Sequence, residues 1–390
     1  MERRHFLGGL VSGAAAKAAP LFVPQSALGA NDRISYGLIA AGGRGRYLND
    51  KFQKLGAHCV AVCDVYEPNL QAAQKQSPDA KGFADYKDLL AGNMDAVVIA
   101  SPDHHHAPML FATLASGKDV YLEKPLSKSL EQSLKMVEAV SQSKQIVQIG
   151  MQRRSAESLM KAKALVDDGI LGQITLVKPQ WHWNIAKELN NTPLPGKLDW
   201  DRFLGDAKKR PLEPMRFRSW RYFWDYAGGN MTDQGTHLMD VVQWFTNQKA
   251  PLSALCHGYV AKMKGAEHPD VFSAVFEFPK MMANWTLNYA NSYQNGWSIT
   301  FMGDKGTLIL DEYGYKVYSE PWKPDSTPVY EEKAPVPIES HITNFLDCVK
   351  SRKQPNCTVE IAAQAVAGPH LANLALQAKN QARLPDGYLS

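Results

Sequence analysis

The sequence is poor in cysteine and has no CxxC pair, no long basic block and no apolar run of bilayer length. Five cysteines in 390 residues, an odd number, argue against a disulfide framework, and without a CxxC pair neither a zinc ribbon nor a thioredoxin-like motif is expected. The net charge of +4 lies partly in the first residues, so the charge pattern gives no reason to expect nucleic acid as a partner. Beyond the N-terminal segment we expect a soluble chain without membrane insertion.

The first 30 residues are typical of a targeting segment rather than of a folded domain. The pair Arg3 and Arg4 precedes a weakly apolar, Gly- and Ala-rich run over residues 8–19, and small residues follow at 27–30. This pattern resembles a twin-arginine (Tat) export signal. We therefore predict that residues 1–30 direct export and that the mature protein is periplasmic. A basic cytosolic N-terminus is the alternative.

The length and the composition, 45% hydrophobic and 21% charged, suit two globular domains. In residues 31–152, short apolar runs alternate with helical stretches. The runs lie at 34–40, 58–65, 95–101, 119–122 and 146–150. Because strands and helices alternate at the spacing of βαβ units, we predict a doubly wound parallel sheet of the Rossmann type in this domain.

After about residue 152 the pattern changes to strand-like runs rich in aromatic and β-branched residues. These runs lie at 174–183, 252–263, 271–278, 281–289, 297–302 and 306–311. Many alternate with period two, which indicates a sheet with one buried face. Helices are predicted at 232–245, 340–351 and 359–379. We predict that residues 153–390 form an α/β domain for substrate binding and oligomerisation, with a mostly antiparallel open sheet.

Candidate dinucleotide-binding residues follow the first predicted strand, where residues 40–45 read A-A-G-G-R-G. In a Rossmann unit such glycines permit a tight turn, close approach of the pyrophosphate, and close packing of helix on strand. Ala40, at the first glycine position, departs from that pattern. Asp64 lies 19 residues after Gly45, near the spacing of the acidic residue that binds the ribose hydroxyls. This favours NAD over NADP, although Arg44 could contact a phosphate.

Five short motifs stand out together along the chain. They are A-A-G-G-R-G at 40–45, A-S-P-D-H-H-H-A-P at 100–108, E-K-P at 123–125, G-M-Q-R-R-S at 150–155 and G-G-N-M-T-D-Q-G-T-H-L-M-D at 228–240. In this order they resemble the glucose–fructose oxidoreductase/inositol dehydrogenase (Gfo/Idh/MocA) family. The resemblance implies a Rossmann domain, an open-sheet substrate domain, and hydride chemistry on sugars, cyclitols or their derivatives.

Three residues are predicted to carry catalysis. Lys124 follows a short apolar strand, and its ammonium would stabilise the alkoxide character that develops when a secondary alcohol is oxidised. Asp233 and His237 are four residues apart on one predicted helix, so their side chains share a face. His237 suits proton transfer, with Asp233 orienting the imidazole or the substrate. The resemblance implies the same roles, because the family's lysine and D-x-x-x-H pair match these positions.

The motifs and strand ends also supply candidate binding residues. The predicted cofactor contacts are Ala41, Gly42, Gly43, Arg44, Gly45, Asp64, Ser101, Pro102, His104, His106, Glu123, Lys124 and Gln152. The predicted substrate contacts are Arg153, Trp183, Arg218, Trp220, Tyr226, Asp233 and His237. The three consecutive histidines at 104–106 cannot all face one ion from an extended turn, so no metal site is predicted.

The sequence therefore favours an exported NAD(P)-dependent oxidoreductase that acts on a carbohydrate hydroxyl. Because free NAD is scarce outside the cytoplasm, we expect NAD to be tightly bound and regenerated in place. Two alternatives stay open. One is a redox-neutral, NAD-dependent glycosidase that oxidises, eliminates, hydrates and re-reduces its substrate, and the other is a non-catalytic nucleotide or sugar sensor. The exposed face of an open sheet predicts a homo-oligomer, either a dimer or a tetramer.

Overall fold

The parallel sheet of the N-terminal half has six strands. The computed structural model describes residues 33–389, so the predicted export signal at 1–30 lies outside the described residues. The strands are β1 (Ser35–Ile39), β2 (His58–Cys63), β3 (Lys81–Phe83), β4 (Ala96–Ile99), β5 (Asp119–Leu122) and β6 (Val147–Ile149). Their order, β3-β2-β1-β4-β5-β6, and their parallel pairing confirm the predicted Rossmann sheet.

Helices cover both faces of this sheet because its strands are apolar on both sides. The helices of this half are α1 (Gly43–Lys54), α2 (Glu67–Gln76), α3 (Tyr86–Leu90), α4 (His106–Ala115) and α5 (Leu130–Ser141). On one face Tyr36 and Tyr121 of the sheet pack against Phe52 of α1. On the other face Val97 packs in one core cluster with Leu110 of α4. This arrangement leaves the carboxyl edge of the sheet for ligands.

The second half contains a nine-stranded sheet. Its strands are β7 (Ile174–His182), β8 (Ser253–Tyr259), β9 (Val271–Phe278), β10 (Met281–Asn288), β11 (Gly296–Gly303), β12 (Gly306–Asp311), β13 (Gly314–Ser319), β14 (Tyr330–Lys333) and β15 (Ala382–Arg383). The order is β14-β13-β12-β11-β7-β10-β9-β8-β15. Of these pairings β7 with β10 is parallel and the others are antiparallel. The mostly antiparallel sheet predicted for this half is confirmed.

One face of the nine-stranded sheet is covered by helices and the other is open. The helices of this half are α6 (Glu157–Asp167), α7 (Trp200–Leu204), α8 (Pro214–Arg218), α9 (Gly229–Asp233), α10 (Gly235–Thr246), α11 (Glu339–Ser351) and α12 (Val359–Ala378). Phe245 of α10 stacks on Phe301 of β11, whereas Leu255, Tyr259 and Met282 on the strands are exposed. Within residues 33–389 no helix is long and apolar enough to cross a membrane.

The C-terminal helices join the two halves. α12 packs Val359 and Val366 into the core of the parallel sheet and Leu371 into the core of the second sheet. Phe345 of α11 packs edge-on against Phe52 of α1. Although α11 follows the second sheet in sequence, it therefore covers the first one. The apolar spacing of these helices predicted that they exist, but not which sheet they would cover.

A long segment between β7 and α9, residues 183–228, lies against loops at the carboxyl edge of the parallel sheet, and we call it the strap. The Glu67 N–H donates to the Lys197 carbonyl, and the Asp199 N–H donates to the Val65 carbonyl, both at 2.9 Å. An apolar cluster that includes Phe203 holds the strap together. The strap contains two short helices, α7 and α8, and the sequence pattern assigned no structure to most of it.

Candidate active site

The glycine-rich turn lies between β1 and α1. Ala40 has a φ of 67°, a left-handed conformation that glycine adopts without strain. The alanine is accommodated there at a cost of about 1 kcal/mol. Helix α1 begins at Gly43, and no side chain caps its N-terminus. Its free backbone N–H groups and partial positive charge are therefore available to an anion such as a pyrophosphate.

The glycines of this turn differ in the space around them. A β-carbon on Gly45 would lie 2.1 Å from the Ala40 carbonyl oxygen, whereas one on Gly43 would meet no atom within 4 Å. Gly42 and Gly43 line a cavity of about 520 Å³. Gly45 is thus required by the packing of the chain, while Gly43 borders open space. These residues fit a dinucleotide, whose phosphates need close approach to the backbone.

We predict that Gly43→Ala folds normally but binds NAD at least about tenfold more weakly, because its methyl group enters the space in front of α1. Gly45→Ala is the matched control: its methyl group meets backbone, so it should instead cost about 2 kcal/mol or more of unfolding free energy. Thermal unfolding and calorimetric titration with NAD separate the two effects. Equal loss of stability in both variants would contradict this assignment.

Asp64 directly follows β2 and lines the same cavity. Its carboxylate accepts the Tyr66 N–H at 2.8 Å. Burial raises the pKa of Asp64 to about 6, although backbone N–H groups of Tyr66 and Ala41 oppose the shift. The side chain is therefore mostly ionised at neutral pH and can accept hydroxyl hydrogen bonds.

The opposite wall of the cavity comes from the strap and from the loop after β4. Ser101, Pro102 and His104 of that loop line it, and the strap contributes Phe203 and Trp220, among others. The cavity is therefore bordered by both halves of the chain.

Lys124, which follows β5 in the first half, forms an ion pair with Asp233, the last residue of α9 in the second half. The Lys124 Nζ donates to the Asp233 carboxylate, and also to the Asp233 carbonyl at 2.9 Å. Two of its three N–H groups are thus used, and one is left for a substrate oxygen. Burial opposes the charge of Asp233, but Lys124 and Arg221 outweigh it and hold its pKa well below the usual range. Asp233 is therefore a fixed anion that positions Lys124.

His237 lies in the first turn of α10, just beyond this pair. Helix α9 ends at Asp233 and α10 begins at Gly235, so the single helix predicted over 232–245 is in fact two. His237 is almost fully buried, and its Nδ1 has no hydrogen-bond partner among the described residues. Burial, Lys124 and Arg153 lower the pKa of His237. Its imidazole is consequently neutral at physiological pH and able to accept a proton.

Asp103 is a site residue that sequence reasoning missed. It is buried in the short helical turn after β4, where the Gly228 N–H donates to its carboxylate. Burial and the charge of Asp233 raise its pKa to about 8, against Arg221 and Lys124. Its place in the A-S-P-D-H-H-H motif, directly after a strand end, was a signal that could have identified it.

Two family models match the chain. One, described as an oxidoreductase family with an NAD-binding Rossmann fold, matches residues 34–151. The other, the GFO/IDH/MocA C-terminal domain, matches residues 159–309. The chain belongs to the Gfo/Idh/MocA oxidoreductase family. The Rossmann half is therefore an NAD-binding domain, and the motif resemblance is confirmed.

Curated relatives in this family include inositol 2-dehydrogenases. The enzyme of Rubrobacter xylanophilus is 36% identical over 160 residues, 40% of this chain and 46% of that protein. The enzyme of Corynebacterium glutamicum is 31% identical over 149 residues, 37% of this chain and 44% of that protein. The chain thus matches less than half the length of these relatives.

Solved structures with low sequence identity share the fold over nearly the whole chain. The WlbA dehydrogenase of Bordetella pertussis, in complex with NADH and UDP-GlcNAcA, has a TM-score of 0.71 and 21% identity, and the match covers 90% of this chain and 99% of that one. Levoglucosan dehydrogenase, in complex with NADH and levoglucosan, has a TM-score of 0.73 and 15% identity, with 91% and 100% coverage.

Several of the predicted binding residues of this Gfo/Idh/MocA protein have structural partners. Arg44 donates to Glu123 at 2.7 Å, so these two residues neutralise each other between α1 and β5. His106 is fully buried, with its ring nitrogens 2.7 and 3.0 Å from the carbonyls of Pro125 and Ser101. Both interactions fix the loops that carry Lys124 and the cavity wall.

Four of the predicted substrate residues belong to the strap: Trp183, Arg218, Trp220 and Tyr226. Tyr226 is fully buried against His104 and Phe203. Arg218 lines the cavity but donates to backbone carbonyls of the strap, among them Pro193 at 2.9 Å. Trp220 also lines the cavity, and Arg221 lies over its ring.

Two aromatic residues that directly follow β7 and β10 lie near Asp233. Trp183 packs on Tyr289 with ring centroids 5.6 Å apart, and burial, together with the charge of Asp233, raises the pKa of Tyr289. Gln152 and Arg153 follow β6, and each has a buried polar atom without a partner in the described chain. No group of three or more His, Cys, Asp or Glu side chains within residues 33–389 could hold a metal ion.

Proposed function

We propose that this protein oxidises a secondary hydroxyl of a sugar, cyclitol or glycoside, or reduces the corresponding ketone, with tightly bound NAD. The observation that carries the proposal is the arrangement of Lys124, Asp233 and the neutral His237 between the two halves. The names of the relatives, which act on inositol and levoglucosan, agree with a polyhydroxylated substrate.

Each of these side chains has a distinct role in the proposed reaction. His237 accepts the hydroxyl proton, because burial and nearby cations, Lys124 first, lower its pKa and leave the imidazole unprotonated. Lys124 donates its remaining N–H to the oxygen, on which negative charge develops. Asp233 positions Lys124. Bound NAD would accept the hydride from carbon, and Gly42, Gly43 and Asp64 would hold it.

Asp64 supports NAD rather than NADP, and its pKa of about 6 makes the binding depend on pH. The ionised form, present above pH 6, accepts two ribose hydroxyls and repels a 2′-phosphate. The affinity for NAD should therefore fall about tenfold between pH 7.5 and pH 5. A loss of this size is expected when one charge-assisted hydrogen bond is lost. Calorimetric titration across this range tests it, with Asp64→Asn as the control that should show a flat profile. An identical decline of NAD affinity in Asp64→Asn would show that a group other than Asp64 causes the pH dependence.

The strap supports the tight retention of NAD. The Tyr66 hydroxyl donates to the Pro195 carbonyl, and Arg202 lies 3.5 Å from the Asp85 carboxylate, so the strap is tied to loops beside Asp64. We expect NAD to co-purify, and the double variant Tyr66→Phe, Asp85→Asn to release it about tenfold faster, since two modest interactions are lost. Stopped-flow fluorescence of released NADH measures the rate. Substitution of an exposed tyrosine, Tyr313→Phe, serves as the control. An unchanged rate of NADH release from the double variant would show that the strap does not retain the cofactor.

Two further proposals concern the protein outside its active site. The twin-arginine segment supports export to the periplasm, which a fusion of residues 1–30 to a reporter tests.

The open face of the nine-stranded sheet, with Leu255, Tyr259 and Met282 exposed, supports a homo-oligomer. Light scattering measures its stoichiometry.

Purified protein without added cofactor, incubated with a panel of sugars, cyclitols and aryl glycosides, tests the proposed reaction. A ketone or lactone with one NADH per turnover supports oxidation. Release of the aglycone without net NADH would identify the redox-neutral glycosidase instead. If neither product forms while sugars still bind, a sensor is the better description.

A further inference from the structure

Arg153 is a buried cation without a hydrogen-bond or ion-pair partner among residues 33–389. The side chain is 5% exposed and lies in the short helical turn after β6, at the carboxyl edge of the parallel sheet. Its guanidinium makes no hydrogen bond or ion pair with any residue of the described chain, and Nη1 is fully buried. The neighbouring Arg154, by contrast, donates to Asp240 at 2.6 Å. Burying a guanidinium without a hydrogen-bond partner costs several kcal/mol, and a ligand that binds it would offset this cost.

Aromatic rings hold this guanidinium in a defined orientation. Its Cζ lies 3.7 Å from the ring centroid of Trp297 on β11 and 5.5 Å from that of Trp181 on β7. A guanidinium stacked on a ring keeps its N–H groups at the edge, where they can bind a carboxylate through two parallel hydrogen bonds. Burial lowers the pKa of Arg153 to about 9, against the charge of Asp240, so it stays charged at neutral pH.

Arg153 is close to the reacting groups. Its charge contributes to the lowered pKa of His237, second only to Lys124 among the charged neighbours. Trp181, which it approaches, packs edge-on against Trp183, and Trp183 packs on Tyr289 beside Asp233. Arg153 is therefore on the same side of the site as His237, where a group of the substrate beside the reacting hydroxyl can reach it.

The charges around this site favour an anion. Two cations, Lys124 and Arg221, lie beside the ionised carboxylate of Asp233, and Arg153 acts on the neighbouring His237. Asp103 is largely protonated at neutral pH, because burial and Asp233 raise its pKa to about 8. Of the other acids nearby, Glu123 is paired with Arg44, and Asp240 is paired with Arg154 and also acts on Arg153 through its charge. An excess of positive charge in a buried site attracts a negatively charged substrate.

We infer that the substrate carries a carboxylate, as in a uronic or aldonic acid, and that Arg153 binds this carboxylate while Lys124 and His237 act on a hydroxyl. This inference rests on the proposed function and narrows its substrate class. Arg153 is thus a specificity-determining residue rather than a catalytic one.

Matched substrates test the inference. Each uronic acid of a panel, such as D-glucuronate and D-galacturonate, is compared with its methyl ester and with the parent neutral hexose. In the wild-type protein kcat/KM for the preferred acid should exceed that for its ester and its hexose by about 100-fold. In Arg153→Gln, assayed at a pH above the acidic limb of the rate profile, this ratio should fall close to one, mainly through loss of turnover of the acid, and Arg153→Lys should retain part of it. Equal use of acid and ester by the wild type, or an equal loss for both in Arg153→Gln, overturns the inference.

Binding gives a readout independent of turnover. Quenching of tryptophan fluorescence by D-glucuronate and D-galacturonate, at saturating NAD, compares the wild type with Arg153→Gln. If the panel yields no NADH but uronate binding depends on Arg153, the carboxylate site stands and the proposed oxidation fails. If hexoses are oxidised and uronate binding is the same in both proteins, the oxidation stands and the carboxylate site fails.

Discussion

Replacing Lys124 with methionine should lower kcat/KM for alcohol oxidation by about 100- to 1000-fold while NAD still binds. A decrease of this size is expected when an enzyme loses one preorganised hydrogen-bond donor to a developing oxyanion. Methionine fills a similar volume but has no N–H to offer the substrate oxygen. It also releases Asp233, which keeps Arg221 at 3.5 Å as a counter-charge, so the fold should survive. Steady-state kinetics, with calorimetric titration of NAD, measure the two quantities.

Lys128 provides the matched control for this variant. It lies four residues further along the same loop, and its Nζ donates to the Asp225 carbonyl at 2.6 Å, so it is also a lysine that bridges to the second half. Lys128→Met should leave kcat within about threefold of the wild type, as expected for a residue with no contact to reacting atoms. If both variants lose activity alike, the effect belongs to the loop and not to the ammonium of Lys124.

The residues around Lys124 illustrate how far local sequence can predict a site. A lysine after a short apolar strand must lie at the carboxyl edge of a parallel sheet, and the sheet order made that edge the ligand side. The pairing of Lys124 with Asp233, 109 residues away, follows from the packing of two domains and is not local information. The order of the five motifs supplied this missing information, because Lys124 and Asp233 both lie in motifs that resemble the same family.

The strap shows the opposite case. Residues 183–228 have few runs of regular period, since α7 and α8 are only five residues each. Their structure comes from tertiary contacts, such as the stacking of Trp200 on Phe203 and the hydrogen bonds to the loop after β2. Aromatic residues predicted as substrate contacts, Tyr226 among them, turned out to be part of this internal packing.

Ala40 and Asp103 show two further limits. The sequence marked Ala40 as a departure from the glycine pattern, but only the backbone reveals that it adopts the left-handed conformation itself. Asp103 was overlooked between a proline and three histidines, because nothing in the sequence indicates that its carboxyl is buried beside Asp233. Its raised pKa results from the fold as a whole, that is, from burial and a distant charge.

His237→Gln should lower kcat by about 100- to 10,000-fold, as expected for loss of a general base, and should abolish the acidic limb of the pH–rate profile. The base must be unprotonated, so oxidation slows as the pH falls through the pKa of His237. Because burial, Lys124 and Arg153 all lower that pKa, the wild-type rate should hold through pH 6.5 and decline only at more acidic pH. The exposed His257→Gln is the control and should keep the wild-type profile.

The cations beside His237 provide a second and more specific test of its role as the general base. Removing the positive charge of Lys124 or of Arg153 stabilises the protonated imidazole, so the pKa of His237 must rise. The acidic limb should consequently move to higher pH in Lys124→Met and in Arg153→Gln, and it should be absent in His237→Gln. Profiles of kcat against pH for the three variants measure this. An acidic limb that persists in His237→Gln, or that stays in place when Lys124 is removed, would transfer the role of base to another group, and Asp103 would be the first to examine.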